Sequence, residues 1–205
     1  MSQLTFFPRI LAIATIAIVS LAAAQTARAD SFVIVGNSNP NATATLNIIS
    51  LSSDQLVFSV TNTSLGVVTG VGFDLATSPG ASFVSATGGT GTYSFCTTCG
   101  NVPQFNTAVL DFGMITAANF TSGNPPSGTG AGLTSPQFTI SGDFSGVLSQ
   151  QEIANAVFIR FQALPPNDGS DVGHGGVVIP EPTTMLLLGT GLVGLGASIR
   201  RWRKK

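Results

Sequence analysis

Short runs in which apolar and polar residues alternate, each closed within a few positions by glycine, proline, asparagine or serine, restrict the middle of this chain to an antiparallel β fold. Successive side chains on a strand point to opposite faces, so alternation makes one face apolar and leaves the other polar. In Gln55 to Thr61, Leu56, Phe58 and Val60 alternate with Val57, Ser59 and Thr61; in Val71 to Leu75, Val71, Phe73 and Leu75 alternate with Gly72 and Asp74. Phe32 to Val35, Ala44 to Ile49, Ala81 to Ala86, Ala108 to Ile115, Gln137 to Ser141 and Ala156 to Gln162 read the same way. The expected fold is all-β, a single β-sandwich of immunoglobulin-like or jelly-roll-like kind. One short helix interrupts it, where Ser149 and Glu152 have the spacing of a capping box.

The two ends read differently. Residues 10–24 are an apolar run behind Arg9, followed by Ala27-Arg28-Ala29. That is the layout of a secretory signal, with small residues at −3 and −1 of a cut after Ala29; a cut after Ala24 is the second choice. Its partners are the Sec translocon and a signal peptidase. At the other end, Pro180-Glu181-Pro182 precedes an apolar stretch over 183–199, then Arg200, Arg201, Trp202, Arg203, Lys204 and Lys205. Seventeen helical residues reach about 25 Å, just short of a ~30 Å hydrocarbon core. The basic end stays cytoplasmic by the positive-inside rule, which puts the rest of the chain outside.

Charge divides along the chain. All nine carboxylates lie between Asp30 and Glu181, where Arg160 is the sole basic residue, so that stretch carries −8 although the whole chain sums to −1. Nucleic-acid binding requires clustered Lys and Arg, and this composition excludes it. Arg160 is expected to pair with a neighbouring carboxylate.

The order of Pro180-Glu181-Pro182, Thr183-Thr184, a leucine- and glycine-rich span and a terminal arginine cluster resembles the PEP-CTERM sorting signal, a tail that also goes by the name of an ice-binding-protein C-terminal domain. The resemblance covers about 26 of 205 residues. It implies an exported protein held transiently in the inner membrane and passed to an exosortase, in bacteria that make extracellular polysaccharide. Its final location is then the cell surface or the extracellular space. The ice-binding name does not extend to the middle of the chain, where Thr43-Ala44-Thr45 and Thr90-Gly91-Thr92 are isolated pairs rather than long rows.

The expected organisation is a signal peptide over 1–29, a β-sandwich over 30–164, a Pro/Gly-rich linker over 165–182, a membrane helix over 183–199 and a basic tail over 200–205. Residues 119–132, with Pro125-Pro126 and four glycines, read as a long mobile loop. Cys96-Thr97-Thr98-Cys99 is expected to form a disulfide clip in an oxidising compartment, with a redox pair, a metal site and an intermolecular pair as alternatives. Asp168 and Asp171, in an Asp-Gly-Ser-Asp turn, are candidate calcium ligands without the rest of an EF-hand loop. A bridging cation is what a −8 surface needs to join acidic exopolysaccharide. No cofactor is otherwise expected. No Gly-x-Ser-x-Gly elbow or HExxH is present, and the single histidine, His174, falls in the linker, so the expected protein is not an enzyme. The functional expectation is a structural or interaction protein of the surface or matrix; the alternatives are a calcium-dependent binding module for glycan or protein and, more distantly, a hydrolase.

Overall fold

The computed structural model describes residues 30–147 and 149–179. The signal run, Ala29, the sorting motif, the apolar span and the basic tail lie outside them. Thirteen strands are present: β1 Asp30–Val35, β2 Thr43–Leu51, β3 Gln55–Asn62, β4 Val67–Phe73, β5 Ser82–Thr87, β6 Ser94–Cys96, β7 Asn101–Val102, β8 Phe105–Val109, β9 Phe112–Ile115, β10 Gln137–Ser141, β11 Val157–Leu164, β12 Gly169–His174 and β13 Val177–Ile179. One sheet has the order β13-β1-β2-β3-β10-β5, the other β12-β11-β4-β9-β6, and β7 pairs with β8 as a separate hairpin. The strand pairings are antiparallel throughout.

The two large sheets pack as a sandwich because each sends its alternate apolar side chains to the same interior. Phe58 of β3 meets Phe73 of β4 edge-on at 5.0 Å between ring centroids, Phe73 stacks on Phe112 of β9 at 4.9 Å, and Phe138 of β10 lies 5.4 Å from Phe58. All four are fully buried. A six-residue helix, α1 (Gln150–Asn155), caps one end. The Ser149 hydroxyl accepts from the Glu152 N–H at 3.3 Å, as the capping spacing requires, and Ile153 turns into the core. Val157, expected to continue the helix face, instead begins β11.

A second, smaller core explains a feature that alternation alone leaves unexplained. The outward positions of β4 and β9 hold Gly70, Gly72 and Gly113 where polar residues would normally stand. They lie under a cover formed by Cys99, Val102, Leu110 and Phe120, which together with Ile115, Phe158 and Val172 make a separate buried cluster. A Cβ on Gly72 would come within 2.5 Å of Leu110, and one on Gly70 within 3.1 Å of Phe120. The glycines therefore give close approach, and the second sheet is buried on both faces.

Three expectations are corrected here. The supposed linker over 165–182 contains β12 and β13, so the folded part runs past residue 164 to Ile179. Gly173 passes under Ile34 and the Val35 carbonyl with no room for a side chain, and Gly36 bridges to Gly173 in antiparallel fashion. Glycine here marks tight packing between neighbouring strands. The loop over 119–132 is tied down: Thr129 is fully buried and exchanges backbone hydrogen bonds with Val68, and Pro125–Ser127 forms a 3-10 turn. The run from Ala108 to Ile115 is two strands, broken where the Asp111 carboxylate accepts the Leu75 N–H at 2.8 Å.

The first and last strands are neighbours. Ser31 pairs with Ile179, Phe32 with Val178 and Val33 with Val177.

Candidate functional site

The sorting residues Pro180, Glu181 and Pro182 follow β13 without an intervening residue, and Ala29 immediately precedes β1. Register places the two boundaries side by side, since Ser31 faces Ile179 at the edge of the first sheet. Both termini of the sandwich thus leave it at one point.

Cys96 and Cys99 are joined by a disulfide, S–S 2.08 Å, at the end of β6. Cys99 is buried in the second core and its sulfur rests against Gly113, so the clip pins the cover onto the second sheet.

The candidate calcium residues have different surroundings. Asp168 is exposed on a turn with φ 51°, in the left-handed region. Asp171 is buried, and its carboxylate accepts the N–H groups of Ser38 at 3.0 Å, Asn39 at 2.7 Å and Val172 at 2.9 Å. It ties the β1–β2 turn to β12. Among the described residues, no three His, Cys, Asp or Glu side chains gather as metal ligands. Replacing Asp171 by alanine leaves these buried donors unpaired and is expected to cost about 1–3 kcal/mol, read from a urea unfolding curve.

Arg160 departs from expectation in a second way. It lies on the outward side of β11, between Gly70 and Val172, and is 6% exposed. No carboxylate pairs with it among the described residues, and its Nε and Nη1 have no hydrogen-bond partner. Burial pushes its pKa below the usual value. A buried, unpaired guanidinium is costly, so Arg160→Met, which keeps the stem and removes the charge, is expected to stabilise the fold by about 1–3 kcal/mol. An unchanged or lower unfolding midpoint would contradict that account.

His174, expected in a linker, sits on β12 with its ring stacked on Phe158 at 4.1 Å between centroids, and Phe105 stands 5.4 Å away. Partial burial lowers its pKa, with the charge of Asp74 acting the other way.

Two groupings escaped the sequence because their members come from distant strands. Thr43, Thr45, Thr61 and Thr63 collect on the outer face of β2 and β3, where Thr63 bonds Thr43 at 2.9 Å, Asn47 bonds both Ser31 and Thr61, and Thr61 and Thr134 lie 3.0 Å apart. These side chains satisfy one another across the sheet. A cleft of about 480 Å³ opens between the end of β4, residues 143–147 and α1, with Asp74, Asp143, Glu152 and Asn155 on its walls. The Ser145 hydroxyl and N–H both donate to Asp143 and hold its carboxyl below the ordinary range.

Residues 178–201 match the family described as the PEP-CTERM protein-sorting motif. No curated protein and no solved structure matches the chain. The chain therefore carries a sorting signal that implies export through a membrane-held intermediate.

Proposed function

We propose that this chain is an exosortase substrate whose β-sandwich serves a non-catalytic, structural or adhesive role at the cell surface or in the extracellular matrix. The observation that carries the reading is the match at residues 178–201, which begins inside β13 and continues into the basic end. A sorting enzyme needs its motif outside the cytoplasm and next to the bilayer. Three residues separate Ile179 from the apolar stretch, and three residues span at most about 10 Å. The sandwich is accordingly held at the headgroups, where Pro180, Glu181 and Pro182 lie between it and the span.

The composition of the exported part supports a role in the extracellular layer. With no lysine and a charge of −8 over residues 30–181, it is repelled by anionic lipid and stays soluble once released. The test is the intact mass of the exported protein from paired strains with and without the exosortase. With the enzyme, the product should lack residues 183–205; without it, the full chain should remain in the membrane fraction. A mature product that retains Lys205 in both strains overturns the reading.

A further inference from the structure

Every sheet ends in two edges, and an edge strand presents a row of backbone N–H and C=O groups that another strand can complete. In this protein three of the four edges are short or covered. β13 and β6 are three residues each, and β6 ends in the disulfide. β12 is longer, but Gly36 bridges to Gly173 and the Asn37 N–H donates to the Val172 carbonyl, so the β1–β2 turn covers it.

β5 has no such protection. It runs for six residues and pairs with β10 alone. Its sequence, Ser-Phe-Val-Ser-Ala-Thr, has no charge and no proline, the usual means of blocking an edge. Phe83 is 44% exposed and Val84 53% exposed, which places apolar surface beside the free backbone row.

Charge selects the partner. Between Leu75 and Gly142 the sequence has one charged residue, Asp111, while the remaining charges of the exported part lie before or after that stretch. Two copies at −8 repel each other wherever their acidic surfaces meet, but around β5 there is no charge to oppose contact. The outward row of β5 is also matched in length and polarity by the same row on a second copy. An antiparallel pair about a two-fold axis near Ser85 sets Val84 beside Ala86 of the other chain and fills both free edges at once. We propose that β5 is the contact through which two copies of this chain pair strand to strand, joining their six-stranded sheets into one. The proposal needs nothing from the sorting reading.

The experiment uses the whole chain in a mild non-ionic detergent at about 50 µM, above the micromolar end of the dissociation constants of ordinary interfaces, with mass read by light scattering after size exclusion. The wild type should have the mass of two chains. Val84→Lys with Ala86→Lys, both at exposed positions, should give a monomer whose far-UV spectrum and urea midpoint match the wild type. The corresponding double glutamate variant should also be monomeric, and mixing the lysine and glutamate chains should restore a dimer containing one of each. Self-association through the apolar tail would survive both pairs of substitutions, so a lysine variant that stays dimeric overturns the proposal. A monomeric wild type, or lysine and glutamate chains that fail to pair, overturns it equally.

Discussion

Alanine at Pro180, Glu181 and Pro182 together is expected to leave the full-length chain in the inner membrane and to cut the processed form by about tenfold or more, a loss that needs only ~1.4 kcal/mol of recognition. The apolar span and the basic end are untouched by these changes, so insertion proceeds and only the enzyme's target is missing. Neutralising Arg200, Arg201, Arg203, Lys204 and Lys205 has a different signature. Without that cluster the stretch over 183–199, short for a bilayer and carrying four glycines, loses the charge that holds its end in the cytoplasm. The uncut chain should then appear outside the membrane fraction. Fractionation followed by intact mass separates the outcomes: uncut and membrane-bound for the motif variant, uncut and released for the tail variant. Normal processing of either one contradicts the division of roles.

The largest effect on folding is expected from Phe73→Ala. Phe73 is fully buried, touches Phe58 edge-on and stacks on Phe112, and so joins the two sheets. Removing a ring from such a place costs about 3–5 kcal/mol through lost transfer energy and the cavity left behind. Set against the ~5–15 kcal/mol by which domains are stable, this should abolish or nearly abolish the folded form. Val109→Ala, at a position 75% exposed, is the control and should move the urea midpoint by less than about 0.5 kcal/mol. A Phe73 variant that unfolds like the control would mean that the aromatic contact between the sheets does not carry the sandwich.

The sequence was most legible where a strand has one wet face and one dry face. β3 and β10 follow their alternation because Phe58 and Phe138 face a core while their neighbours do not, and α1 follows from Ser149 and Glu152. Legibility failed where the neighbours, rather than the strand's own residues, supply the stability. In β12, Gly169-Ser170-Asp171-Val172-Gly173-His174, Val172 is the one aliphatic side chain; the strand is held by β11, by the bridge to Gly36 and by the donors around Asp171. β-propensity reports the fit of a residue to its surroundings, and here the surroundings favour small residues. The outward glycines of β4 were unreadable for the same reason, since nothing local shows that a cover lies above them. The sorting motif was legible through its order along the chain, which needs no folding to be seen. The threonine cluster on β2 and β3 required the strand register, and so did the acidic cleft.

The pairing of β1 with β13 also fixes the timing of events during export. A chain threaded through the membrane from its N-terminus delivers β1 first, and β1 must wait with one side open while everything between it and β13 emerges. β13 arrives last, immediately ahead of the apolar stretch that arrests transfer. Bringing together the ends of so long a loop costs little more than for a loop half its length, because closure entropy grows only with the logarithm of length. Closure of the first sheet and arrest of the chain therefore nearly coincide. The last step of folding takes place beside the processing motif, so a sandwich that has not closed would reach the processing enzyme with a loose strand where a finished one presents a fixed edge.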